Sequence, residues 1–173
     1  MQLPNIPRQP SVVGMRALTE PEIRASFVNT TKGEAKRLAV PKDLAARPWP
    51  DLDFLGWRDP GSPERAYLVA ETDSGLVGLA LRKAPGGQRR TMCSLCLTTH
   101  PGDGVALMTA RKARRADNSV GAYMCSDLAC SLYLRAKKDA GPGARMPESI
   151  ALDAKIERTA ANVAAFLNKV TTA

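Results

Sequence analysis

Four cysteines constrain this chain more than any other residues. They fall in two close pairs, Cys93-Ser94-Leu95-Cys96 and Cys125-Ser126-Asp127-Leu128-Ala129-Cys130, and the 173-residue sequence contains no others. Two short pairs separated by a medium gap match a tetrahedral zinc site. Zinc bonds thiolates at about 2.3 Å, and a structural site is closed when the protein supplies all four ligands. Each pair can bend the chain so that its two sulfurs face one point, but residues 97–124 must fold to bring the pairs together. The alternatives are free core thiols, which are common, and two disulfides, which need an oxidising compartment. The opening Met1-Gln2-Leu3-Pro4-Asn5-Ile6-Pro7 lacks the apolar run of an export signal. The expectation is therefore zinc held by Cys93, Cys96, Cys125 and Cys130.

No stretch is long and apolar enough for a membrane span, so a soluble, cytoplasmic monomer with reduced thiols is expected. Aromatic residues are only 5% of the chain, which leaves the core to Leu, Val, Ile and Ala. Charge is uneven. Residues 1–88 hold 12 basic and 10 acidic residues, a balance of +2, and residues 89–173 hold 13 and 7, a balance of +6, giving +8 in all. The half with the cysteines is the basic half. That fits an acidic protein face or nucleic acid as partner, and equally a solubilising charge.

Residues 1–16 are expected to form a flexible arm, since residues 1–14 are proline-rich and carry no periodicity. Thr19-Glu20-Pro21-Glu22 and Thr31-Lys32-Gly33-Glu34 both have capping-box spacing, which predicts two short helices. The first carries Ile23 and Phe27 on one face and ends near Asn29. The polar break between them (Ser26, Asn29, Thr30, Lys32) reads as caps satisfying their own backbone. Pro41 stops the second helix. Trp49, Phe54, Leu55 and Trp57 in the proline- and aspartate-rich stretch that follows are expected to be core anchors. Ala66–Glu71 and Leu76–Arg82, joined by Thr72-Asp73-Ser74-Gly75, predict a hairpin. Pro85-Gly86-Gly87 then reads as a loop, with Arg89-Arg90 leading into the first cysteine pair.

Between the pairs, 105–111 and 119–124 predict two strands around a basic turn, Lys112 to Asn118. A helix expected after Ser126, with Leu128 and Leu132 on one face, closes at Gly141-Pro142-Gly143. Cysteine bend, hairpin, then a helix carrying the second pair is the order of a treble-clef zinc finger. Pro147 is expected to open a last helix, with Glu148 in its first turn and Leu152, Ile156, Val163, Phe166, Leu167 and Val170 forming one apolar stripe. The fold class is α+β: a treble-clef finger over about 89–140, an additional N-terminal helical and hairpin portion, and a long C-terminal helix over 147–170.

Several of these runs form a pattern. Ser26-Phe27-Val28-Asn29 with Lys32-Gly33-Glu34-Ala35, Asp51 to Trp57, Met92 to Cys96, and Tyr123 to Tyr133 together resemble the treble-clef domain of the elongation-factor-G-binding proteins, the family that includes the fusidic-acid resistance proteins. The resemblance runs from about residue 17 to the C-terminus. It implies a domain over 17–173 that binds elongation factor G and helps it leave the ribosome, with the four cysteines as zinc ligands. Resistance members also carry a separate N-terminal helical bundle, for which this sequence has no room. Binding of the factor is therefore expected, and drug resistance stays open.

An enzyme is not expected. Four thiolates leave no open position on zinc for water, and neither a Ser/His/Asp arrangement nor a phosphate loop is available. His100, the sole histidine, is read as a solvated loop residue, neither ligand nor base. The candidate partner surface is the basic hairpin tip, Arg111, Lys112, Arg114 and Arg115, with Tyr123 on the adjoining strand. Its bland counterparts are a solvated charged loop and a tyrosine packed beneath the hairpin. The tip would equally serve ribosomal RNA, although RNA recognition favours stacking aromatics among basic residues, and only Tyr123 and Tyr133 are near.

Overall fold

Both capping boxes form as their spacing predicts. In the computed structural model, which describes residues 14–85, 92–142 and 148–172, Thr19 and Glu22 close the start of α1 (Glu20–Ser26) reciprocally. Thr31 and Glu34 do the same for α2 (Lys32–Arg37). The two helices are tied together by Arg24, whose Nη1 donates to the carbonyls of Ala35, Lys36 and Leu38 at 2.8 to 3.0 Å. One guanidinium thus satisfies carbonyls that the end of α2 leaves without helical partners. α1 ends at Ser26 rather than near Asn29 because Phe27 turns extended and bridges to Gly78.

The strands are β1 (Leu55–Arg58), β2 (Arg65–Thr72), β3 (Gly75–Lys83), β4 (Val105–Arg111) and β5 (Ser119–Cys125). They form one antiparallel meander in chain order. The two hairpins were expected; β1 was not, and neither was their fusion into a single sheet. The join between hairpins is short, with Arg82 opposite Thr109 and Lys83 opposite Met108. Beyond it the Asn29 side chain fills the gap. Its Nδ2 donates to the carbonyls of Ala80 and Arg111, and its Oδ1 accepts from the Ala80 amide. Asn29 acts as a rung between β3 and β4 rather than as a helix-end cap.

Strand alternation sorts the core into two layers. Leu68, Leu79, Leu81, Met108 and Met124 join the four cysteines on one face. They are covered by α4 (Leu152–Thr171) through Val163, Phe166, Leu167 and Val170. The other face carries Leu55, Trp57, Tyr67 and Val69 beneath Met15, Leu18, Ile23, Leu38, Trp49 and Leu52. The expected anchors are buried, and their polar atoms are matched: Trp49 Nε1 donates to Leu44, and Trp57 Nε1 to Ala39. Phe27, Trp57 and Tyr67 pack edge-on or tilted, with centroids 5.2 to 6.5 Å apart.

Several expectations change. Residues 1–13 of the expected arm lie outside the described residues, but its last residues are anchored. Met15 is buried and its amide donates to Leu52, while Arg16 pairs with Glu22 and Glu71. The helix expected after Ser126 is the single turn α3 (Cys130–Leu134). Leu128 precedes it at φ 56°, and Ala136 turns left-handed at φ 54°, which ends the helix well before Gly141-Pro142. The last helix begins at Leu152. Glu148 lies before it and pairs with Arg158 and Lys155 instead of occupying the first turn. Leu152 is exposed, and Thr159 is buried within the stripe in its stead. Gly86-Gly87, Arg89-Arg90, Gly143 and Pro147 lie outside the described residues.

Candidate metal centre

The first cysteine pair sits in a tight loop. The Leu95 amide points at Cys93 Sγ (3.3 Å), and the Leu97 amide donates to the Cys93 carbonyl (3.0 Å). Leu97 takes φ 58°, a left-handed conformation that costs a residue with a Cβ about 1–2 kcal/mol. The second pair straddles a boundary. Cys125 is the last residue of β5, and Cys130 is the first of α3. Between them the Leu128 amide returns to the Cys125 carbonyl, and Asp127 Oδ1 accepts from the Ala129 amide. The two loops are held against each other by the Ser94 amide donating to the Tyr123 carbonyl (2.7 Å).

All four thiols are buried, and their sulfurs lie within 4.8 Å of one another. Cys93 to Cys130 is 3.7 Å and Cys96 to Cys125 is 3.5 Å. A tetrahedron with metal–sulfur bonds of about 2.3 Å has edges of about 3.8 Å, so the spacing fits zinc. The electrostatics agree. The thiols of Cys125, Cys130 and Cys96 point at Cys93 and hold it far below the ordinary thiol range. Cys125, Cys93 and Cys96, together with burial, push Cys130 well above it. Four thiols in one buried space cannot all ionise by themselves. A dication resolves the conflict, because thiolates are its ligands.

A shell of polar residues surrounds the sulfurs. His100 is buried, not solvated; its Nε2 lies 3.2 Å from Cys125 Sγ, and its ring stands edge-on to Tyr133 at 4.6 Å. Burial lowers its pKa, which favours the neutral ring with one N–H free to face a thiolate. Tyr133 and Lys138 both donate to Asp127 Oδ2 at 2.7 Å. On the far side, Asn162 of α4 donates to the Leu95 carbonyl, so the C-terminal helix holds the first cysteine loop. Arg135 makes a two-pronged pair with Asp53, both bonds 2.8 Å, and Ser131 Oγ accepts from the Asp53 amide. That pair docks α3 onto the segment leading into β1. Gly56 of β1 lies so close to the second cysteine loop that a Cβ there would sit 2.5 Å from Leu128 Cβ. The histidine four residues past Cys96 and the Asp three before α3 are the available signals. Asn162 and Asp53 are far from the cysteines in sequence, and Arg135, five residues past Cys130, gives no sign of a partner 82 positions away.

The candidate partner residues are distributed around the hairpin. Arg114 and Arg115 are exposed at the tip, Lys112 is half-buried, and Arg111 ends β4 with an ion pair to Glu34 (3.3 Å). Register puts Tyr123 opposite Leu107, and Arg111 opposite Ser119. By alternation, Arg111 and Tyr123 share a face of the hairpin, although Tyr123 is half-buried and packs against the core around the cysteines. The tip does not project freely. The Ala113 amide donates to the Val170 carbonyl, so α4 holds the hairpin at the end opposite the cysteines.

With this geometry in place, comparison with known proteins identifies the family. Residues 22–170 match the FBP C-terminal treble-clef zinc-finger family, and the chain belongs to it. A solved structure of similar fold is that of the fusidic acid resistance protein FusC, at TM-score 0.57 and 15% identity. The match covers 91% of this chain and 60% of that one, so this chain spans less than two thirds of that protein. No curated protein matches the sequence. Among the described residues, no helix is long and apolar enough to cross a membrane.

Proposed function

We propose that this protein is a non-enzymatic, cytoplasmic binding module for translation elongation factor G that modulates the factor's action on the ribosome or its release from it. In this reading Cys93, Cys96, Cys125 and Cys130 hold one structural zinc. The partner surface is the hairpin tip, Arg111, Lys112, Arg114 and Arg115, with Tyr123 on the same hairpin face as Arg111. Family membership supports the reading, and so does a fold shared with a fusidic acid resistance protein. One observation carries the choice of surface. Arg114 and Arg115 are exposed on a hairpin whose two ends are fixed, one at the cysteines and one at Val170. A rigid basic tip loses little entropy on binding and speeds approach to an acidic protein face.

The double reversal Arg114→Glu with Arg115→Glu touches neither the core nor the cysteines. Titration calorimetry against purified elongation factor G, at low and moderate salt, is expected to show weakened binding with thermal stability unchanged. Wild-type affinity at both salts would remove this surface. Binding to ribosomal RNA but not to the factor, with a steep loss of affinity as salt rises, would favour the rival partner.

A further inference from the structure

A cleft of about 660 Å³ opens on the side of the sheet that faces away from the cysteines. Its walls come from α2, β2, β3 and the β4–β5 hairpin, and they include four arginines: Arg37, Arg65, Arg82 and Arg111. Glu34 and Asp59 are the acids in its lining, and both are engaged. Glu34 caps α2 and pairs with Arg111, and Asp59 accepts from the Tyr67 hydroxyl and the Gly61 amide. Among the described residues, Arg37, Arg65 and Arg82 have no carboxylate partner.

The strand register makes this arrangement unfavourable for the chain alone. Arg65 and Arg82 are directly opposite each other on β2 and β3, and like charges at opposed positions destabilise a sheet. The next strand continues the row with Thr109 opposite Arg82. Thr30, also in the wall, has a hydroxyl enclosed without a hydrogen-bond partner. An anion seated between the arginines would remove the repulsion and satisfy the guanidinium forks, which match phosphate geometry two bonds at a time. Tyr67 is the one ring in the lining and is itself buried in the aromatic cluster, so the cleft has no platform for stacking a base. Its chemistry is that of phosphate groups.

We infer that this arginine-lined cleft binds a phosphate-bearing ligand, with Arg65 and Arg82 as the central pair and Arg37 and Arg111 at the sides. The source of the phosphate is either a small polyphosphate or the backbone of an RNA strand. The site is distinct from the hairpin tip proposed for the protein partner and shares only Arg111 with it, so that residue is left intact in the test.

The experiment uses the full chain loaded with zinc. Calorimetry and thermal melting are run with inorganic pyrophosphate, and separately with a short single-stranded oligoribonucleotide, against sodium chloride at matched ionic strength. Saturable pyrophosphate binding that raises the melting temperature is expected. Arg65→Gln with Arg82→Gln should weaken it by at least about tenfold, while the ligand-free double variant melts no lower than wild type because the repulsion is gone. Should the double variant fold poorly, Arg82→Gln alone serves, read by the same pyrophosphate titration. Oligoribonucleotide binding that depends on the same two arginines and is competed by pyrophosphate would name RNA as the source; pyrophosphate binding alone would name a small polyphosphate. Failure of both ligands to bind beyond the chloride control, or binding untouched by the arginine substitutions, would overturn the inference. Neither outcome bears on elongation factor G, which the tip reversal tests.

Discussion

The two hairpins of this sheet are stabilised by different means. β2–β3 lies between two layers. Trp57, Tyr67 and Phe27 pack with α1 on one side, and Leu68 and Leu79 face the shared core on the other. Burying each large apolar side chain contributes about 1.5–3 kcal/mol, so this half has many small contributions. β4–β5 has α4 and the cysteine loops on one side, while its other face carries Arg111, Thr109 and Ser119 toward the arginine-lined cleft. Met108 and Met124 bury one face beneath α4, and a few concentrated contacts pin the ends: the cysteine cluster, Asn162 on the first loop and Val170 at the tip. An antiparallel sheet packed on one face leaves its other face free to present polar groups to a partner.

Metal removal should break this comparison most severely. A structural zinc contributes about 10–16 kcal/mol in finger peptides, as much as the typical net stability of a whole domain. Chelation, or Cys125→Ser, is expected to abolish metal content by elemental analysis. In hydrogen exchange, amides of 105–125 should lose protection before those of 65–83. Simultaneous loss in both hairpins would show that the short β3–β4 join makes the sheet one cooperative unit. Full metal content in the variant would refute the four-cysteine site.

Next in size is Arg135→Ala. It leaves Asp53 as a buried charge with no guanidinium partner, and breaking such a pair costs about 3–5 kcal/mol. Urea denaturation should report that loss while zinc stoichiometry stays at one. A smaller effect is expected from Asn29→Ala, which strands the Ala80 amide and two carbonyls between the hairpins. Leaving such groups unpaired costs about 1–3 kcal/mol, and exchange at Ala80 should rise first. For His100→Ala, zinc should remain bound, with affinity lowered by about 10–100-fold, as for other outer-shell partners. A competitive chelator titration measures it, and stoichiometric loss of zinc would make His100 a ligand. Least of all, Leu97→Gly should change stability by no more than about 1 kcal/mol, because relief at φ 58° and the greater freedom of glycine in the unfolded chain oppose each other.

Local chemistry was legible in the sequence. The two capping boxes lie within four residues each, and the β4–β5 hairpin follows from apolar runs around a basic turn. The cysteine pairs were legible too, because metal coordination prescribes spacing rather than context. α3 is shorter than its apolar pattern predicts because Leu128 and Ala136 adopt left-handed conformations that no residue type announces. β1 is not legible, because Leu55–Arg58 is a strand only by pairing with β2, and nothing in four residues among prolines and aspartates signals that.

Sequence by itself thus determined the donor set, the starts of α1 and α2 and the two hairpins, since each depends on residues close along the chain. Tertiary structure alone decided how they combine. It merged the hairpins into one sheet, used Asn29 as the rung between them, buried His100 against Cys125, and set Arg65, Arg82 and Arg111 around one cleft. Those outcomes depend on contacts between residues tens of positions apart. They are settled by which faces can be buried together, a property of the whole packed chain that no local run of residues encodes.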